Sequence, residues 1–180
     1  MLTTRSPKES HLYIDMHACD CGETTLEREQ SVQRVDGALV AVYEGVCPAC
    51  GRQRRFEFRL PEATVPAGKF GGEDASTLLD AGEFLAASDR YRDLAYTRSE
   101  QNTAETLATV VPLLDEAIAA FEEIYKFIPE GAGEVPKETI TSELGRKVYA
   151  ANPGRFDRRH MDVAMRSLHR LHAIYAKPKA

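Results

Sequence analysis

All four cysteines of this chain fall within its first 50 residues, as Cys19-Asp-Cys21-Gly and Cys47-Pro-Ala-Cys50-Gly. Two close pairs of thiols constrain a fold strongly, because the chain must turn sharply at each pair and the two turns must then meet. Gly22 and Gly51 follow their pairs directly, and glycine takes the positive φ of a sharp turn without steric penalty. Asp36-Gly37 lies between the pairs, flanked by Leu26–Val35 and Ala38–Val46, which is a strong two-residue hairpin signal. After the second pair, Phe56, Phe58 and Leu60 alternate with Arg55, Glu57 and Arg59, as a strand does. His11 to His17 alternates as well, and the period of 2 predicts a strand running into the first pair. Residues 1–60 are therefore expected to form a small antiparallel sheet with the cysteines in its turns.

Four thiolates suit zinc, which takes tetrahedral sulfur donors at about 2.3 Å. The expected ligands are Cys19, Cys21, Cys47 and Cys50, with His17 as a substitute if the one-residue spacing of Cys19 and Cys21 prevents a joint grip. Four thiolates leave no open position for water, so the expected zinc is structural and the chain is read as not an enzyme. Disulfides compete with this reading, but MLTTRSPKESHLYIDMHA contains no continuous apolar segment of the kind that directs export. A reducing, cytoplasmic setting is expected, where thiols stay free. A redox Cys-x-x-Cys should be followed by a helix, whereas here a strand follows.

The order Cys-x-Cys-Gly, hairpin, Cys-Pro-x-Cys-Gly, strand resembles a zinc ribbon, the knuckle-and-hairpin module also seen in rubredoxin-like proteins, over residues 10–60. Cys47-Pro48-Ala49-Cys50-Gly51 is a good match to the second knuckle, while Cys19-Asp20-Cys21 departs from the usual two-residue spacing. The resemblance implies a structural zinc site.

Pro61, Pro66, Gly68, Gly71 and Gly72 forbid a long helix, so residues 61–79 read as a linker. From residue 80 to 180 the period changes to 3.6. Asp80 with Glu83 makes a capping pair ahead of Phe84, Leu85, Ala87 and Tyr91. Asn102 with Glu105 repeats the device before Leu107, Val111, Leu114, Ile118, Phe121 and Tyr125, a run containing Pro112, where a kink is expected. Shorter helices follow over about Thr141–Ala150 and from Asp157 onward. The expected fold class is α+β: a small antiparallel zinc-ribbon sheet followed by a helical bundle of about four helices packed against it. No apolar stretch approaches the roughly 20 residues of a membrane span.

Net charge is −5, which argues against general affinity for phosphate backbones. Its distribution is uneven: residues 1–98 carry −4, residues 99–143 carry −8 and residues 144–180 carry +7. Either the acidic and basic helices pack near each other, or one of them faces a partner. Asp115, Glu116, Glu122 and Glu123 lie on the back of an apolar stripe and are the candidate partner-binding residues, since an acidic face steers a basic protein. Arg159, Arg166 and Arg170, on one side of the last helix, suit an acidic surface. His169 and His172 share a helical face, but no Glu-x-x-His motif accompanies them, and no nucleophile or phosphate-loop signature occurs.

The leading expectation is a non-catalytic, cytoplasmic protein-interaction module with structural zinc. In architecture and charge it resembles the standalone immunity proteins of polymorphic-toxin systems, which implies a basic toxin domain as partner. The alternative is a nucleic-acid-associated regulator using Arg52, Arg54, Arg55 and Arg59 of the ribbon and the basic last helix.

Overall fold

The computed structural model describes residues 1–62, 65–66 and 68–176. Ala63, Thr64 and Ala67 of the expected linker, and the last four residues of the expected helical domain, lie outside the described residues. The fold is α+β, and the chain divides into two compact units, Met1–Leu78 and Leu79–Ala180.

In the first unit, β1 (Leu2–Thr3) leads into α1 (Pro7–Met16), followed by β2 (Arg28–Val35), β3 (Ala38–Val46) and β4 (Gln53–Arg59). Strand order is β1-β4-β3-β2. The sheet is mixed rather than purely antiparallel, because β1 runs parallel to β4, with Leu2 opposite Phe58. Asp36 and Gly37 turn the hairpin with φ of 49° and 81°, a pair of left-handed residues whose twist matches the flanking strands.

The segment expected as a strand over His11–His17 is the helix α1. Its start is written in Ser6-Pro7-Lys8-Glu9: the Ser6 hydroxyl accepts from the Glu9 amide at 3.1 Å, and Pro7 opens the first turn. The alternation of Leu12, Ile14 and Met16 is too short to outweigh those end signals. Ile14 packs with Leu26, Ala41, Tyr43 and Phe58, and Tyr13 meets the rings of Phe56 and Phe58 edge-on at 6.3 and 5.7 Å.

Glu9 is fully buried, and its carboxylate accepts from the Arg5 amide at 2.7 Å and from Arg5 Nε and Nη2 at 2.8 and 2.6 Å. Arg5 Nη1 then reaches the Asp74 carbonyl, and the Ser6 hydroxyl donates to the Phe70 carbonyl at 2.7 Å. Lys8 donates to the Gly68 carbonyl at 2.7 Å. These bonds hold Gly68, Phe70 and Asp74 against the start of α1, so the far part of the expected linker belongs to the first unit.

The second unit contains α2 (Ala81–Gln101), α3 (Ala104–Tyr125), α4 (Glu143–Ala151) and α5 (Arg158–Tyr175), so the described residues hold five α-helices, against the four or so expected, because α1 adds one. The expected Asn102–Glu105 cap is displaced by one residue. Asn102, at φ +48°, closes α2, and Thr103 opens α3 by accepting from the Thr106 amide. Pro112 lies inside the continuous α3. Leu171 and Tyr175 of α5 pack on Ala95, Val110 and Leu114.

Asp80 joins two helix starts. Its Oδ1 accepts from the amides of Gly82 and Glu83, and its Oδ2 from those of Thr141 and Ser142, all at 2.7–3.0 Å. A Cβ on Gly82 would fall against the backbone of Gly145, so glycine at 82 is a requirement of the close approach of α2 and α4. Glu83 returns a bond to the Asp80 amide at 2.9 Å. Burial, with the Asp80 charge adding to it, outweighs that bond and pushes the Glu83 carboxyl up to about 7.

A folded value raised above the ordinary 4.5 means that stability associated with protonated Glu83 is fully present below pH 4.5 and is lost as pH rises through about 7. Glu83→Gln keeps the capping geometry and removes the titration. The variant is expected to be more stable than wild type above pH 7, by up to about 3 kcal/mol, with the gap closing toward pH 4.5. Urea unfolding across that range checks it, and a gap independent of pH contradicts it.

Candidate metal centre

Two tight turns bring the thiols together. Cys19 and Cys21 follow α1, where the Gly22 amide donates to the Cys19 carbonyl at 2.7 Å and the Cys19 amide to the Glu23 carbonyl at 2.8 Å. Cys47 and Cys50 lie between β3 and β4, where the Gly51 amide donates to the Cys47 carbonyl at 2.9 Å and the Cys47 amide to the Arg52 carbonyl at 2.9 Å. Gly22 and Gly51 have φ of 92° and 72°, where a side chain would be strained.

The four Sγ atoms lie within 4.8 Å of one another. Cys19 to Cys50 and Cys21 to Cys47 are each 3.6 Å apart. A tetrahedron of sulfurs about 2.3 Å from a central ion has edges of about 3.8 Å, so the cluster can hold one metal ion. The one-residue spacing of the first pair does not prevent convergence. Cys19 and Cys47 are buried, and Cys21 and Cys50 are exposed.

Electrostatics favour a central cation. Burial alone raises the Cys47 thiol, but the amides of Cys50 and Ala49 and the thiols of Cys50 and Cys21 together bring it down to about 7. The Arg52 amide lowers Cys50, yet the thiols of Cys21, Cys47 and Cys19 carry it up to about 12. Four thiols this close do not ionise together without a positive charge among them. Arg52 forms an ion pair with Asp20, linking the two turns. Arg54 is 8% exposed, donates to the His17 carbonyl and lies 5.1 Å over the Phe56 ring. Its Nη1 is buried and has no hydrogen-bond partner among the described residues. Arg54 lines a hollow of about 270 Å³ together with Cys19 and Arg52.

The remaining candidates are distributed differently. His17 is not in the cluster: its Nδ1 is 2.7 Å from the Tyr13 carbonyl and its ring stacks on Tyr13 at 3.7 Å. His172 Nε2 lies 3.0 Å from Asp115, so an acidic residue of α3 and a basic face residue of α5 meet. Asp115 is exposed and Glu116 and Glu122 are half-buried. Glu123 is 2% exposed and lies 2.5 Å from Lys126. The expected exposure of all four carboxylates is corrected at Glu123, which is buried and paired with Lys126 one turn on. Arg55 is engaged by Glu44 and Glu57. The sequence reading missed Arg54 as a buried cation near the thiols, because alternation alone assigns it to a solvated or core-facing strand position without saying which charge it meets.

Compared with known protein families, curated proteins and solved structures, the chain has no significant match.

Purified under reducing conditions, the chain is expected to contain one metal ion, lost on Cys47→Ser. Metal binding in small thiolate modules is worth on the order of 10–16 kcal/mol, so that variant should lose the β-sheet signal of residues 1–78 and keep much of the helical signal of α2–α5. Metal analysis with circular dichroism checks it. Metal content near zero in the wild-type chain, with all four thiols freely titratable, contradicts it.

Proposed function

We propose that this chain is a non-catalytic protein-interaction module of the cytoplasm whose first unit is held by a structural zinc ion. The observation that carries the reading is the convergence of four thiols with no histidine or carboxylate among them. Such a shell suits zinc, and it fills every tetrahedral position and spreads the ion's charge over sulfur, leaving no site for an activated water. The ion then does for the ribbon what a larger apolar core does elsewhere.

In the toxin-neutralising form of this reading, α3 presents Asp115 and the flanks of Glu116 and Glu122 to a basic partner. Buried Glu123 is paired with Lys126 instead. The resemblance to immunity proteins in architecture and charge supports this form and nothing at residue level does.

One observation favours a second reading, contact with nucleic-acid phosphates. Arg159, Arg166 and Arg170 are exposed on α5, on the side away from buried Met161 and Leu168, and arginine forks suit phosphate. The ribbon contributes less to that reading, since Arg52, Arg54 and Arg55 are taken up by Asp20, the His17 carbonyl, Glu44 and Glu57.

Capture of the full chain from its native cells under reducing conditions separates the two. A stoichiometric protein partner that withstands nuclease treatment is the expected result. For purified protein with duplex DNA, little binding is expected at physiological salt. Sub-micromolar binding whose logarithm falls against log salt with a slope near −2.7, the value for about three neutralised phosphates, would put the second reading first.

A further inference from the structure

Among the described residues Arg54 is the one buried arginine, 8% exposed. Alternation along β4 sets it on the same face as Phe56 and Phe58, the face that Tyr13 of α1 meets edge-on. Other arginines of the first unit answer a carboxylate: Arg5 has Glu9, Arg28 has Asp15, Arg52 has Asp20, and Arg55 has Glu44 and Glu57. Arg54 answers none among the described residues. Its Nη2 donates to the neutral His17 carbonyl, its guanidinium lies 5.1 Å over the Phe56 ring, and its Nη1 has no hydrogen-bond partner. A guanidinium does not deprotonate in a protein, so it cannot escape burial by becoming neutral. A buried charge without a counter-charge is costly.

The surroundings narrow the source of the missing negative charge. Nη1 is closed to solvent, so a dissolved anion does not reach it and the charge has to come from the chain. The hollow of about 270 Å³ that Arg54 lines is also lined by Cys19, Asp20, Arg52 and Arg55. Asp20 is its one carboxylate, and Arg52 already holds it at the surface. Arg54 stands between the two cysteine turns. It pairs across the sheet with Gly45, just before Cys47, and bonds the His17 carbonyl, just before Cys19. Four thiolates around a divalent ion leave two negative charges over, shared by sulfurs of which those of Cys19 and Cys47 belong to buried residues.

We propose that Arg54 is the counter-charge of the loaded thiolate centre. Because that anionic centre exists only with the ion in place, Arg54 favours the loaded chain over the empty one and so strengthens retention of the ion. The inference rests on the reading that the four thiols hold a metal ion.

Competition of the zinc-loaded full chain against a chromophoric chelator, with reductant at a single pH, tests it. Arg54→Gln and Arg54→Met remove the charge and are expected to weaken zinc binding by about 10–100-fold, the usual effect of losing a partner just outside the ligands. Arg54→Lys loses the planar fork but keeps the charge, and should recover most of that loss. Arg52→Gln removes a charge that is exposed and already paired with Asp20, so it should change binding little. A loss of about tenfold or more in Arg54→Lys means that packing or hydrogen bonding matters rather than charge, and it overturns the proposal whether or not the neutral variants fold. Equal losses in Arg52→Gln and Arg54→Gln overturn it too. Zinc held equally tightly by wild type and every Arg54 variant overturns this inference alone, whereas a wild-type chain that binds no zinc overturns the metal reading with it.

Discussion

Four sulfur atoms must meet at one point in the first unit, and the local backbone is arranged around that demand. Each cysteine pair sits on a turn whose closing amide comes from a glycine with positive φ, Gly22 or Gly51. The hairpin between the pairs must then be long enough to return, and its Asp36-Gly37 turn must have the hand that keeps β2 and β3 in register. The apolar cluster of this unit is small, with Ile14, Leu26, Ala41, Tyr43 and Phe58 at its centre. Small units of this kind depend on a staple when their burial is modest. The thiol cluster sits at the end of the sheet opposite the Asp36-Gly37 turn, where a metal ion held by it would tie the strand ends that the turn leaves free.

Buried carboxylates play the corresponding role away from the thiols. Glu9 gathers the Arg5 amide and guanidinium, and through Arg5 and its neighbours Ser6 and Lys8 the segment Gly68–Asp74 is fastened to α1. Asp80 gathers four amides from two helix starts. Asp80 so satisfies donors that helix formation leaves unpaired, while Glu9 holds an amide and a guanidinium just ahead of α1. The two differ in charge balance: Glu9 has a guanidinium against it, whereas Asp80 is held by amides alone. Burial, with the Asp80 charge adding to it, displaces the neighbouring Glu83 carboxyl toward neutrality.

The features legible in the sequence are those carried by local chemistry. Asp36-Gly37, the glycines after each cysteine pair, Asp80 with Glu83, and Asp157 at the start of α5 all act within a few residues, and the structure uses each of them. Features that depend on distant segments were hidden. Leu12, Ile14 and Met16 alternate as a strand would, yet Ser6 and Pro7 begin a helix, and a run of seven residues cannot decide between periods of 2 and 3.6. The parallel pairing of β1 with β4 joins residues more than 50 positions apart, and a two-residue strand has no pattern of its own. Asn102 carries a capping residue type, but it serves as the left-handed end of α2 because Thr103 and Thr106 cap α3 one position later. The thiol cluster was legible because cysteine placement has few competing explanations once both pairs are followed by glycine.

The blocks of charge show why composition along a chain is a weak guide to a partner. The −8 of residues 99–143 and the +7 of residues 144–180 look like two surfaces waiting for opposite charges, yet within the second unit they partly answer each other. Asp115 meets His172, and the Tyr125 hydroxyl donates to Asp162 at 2.9 Å while Arg158 lies 6.0 Å from the centre of the Tyr125 ring. Arg155, of the basic segment, is also taken up, by Asp89 of the stretch before the acidic block, with two bonds of 2.7 Å. Burial and the Asp162 carboxylate push the Tyr125 hydroxyl well above its ordinary value, so it stays a donor. What stays at the surface is narrower than the blocks imply, with Arg159, Arg166 and Arg170 exposed along the outer side of α5. Exposed pairs of this sort contribute little to stability, so their placement is governed by packing, with α3 and α5 brought together by Val110, Leu114, Leu171 and Tyr175. The charges that survive at the surface are then those the apolar stripe happened to turn outward, and it is these, rather than the segment totals, that any partner of the second unit has to fit.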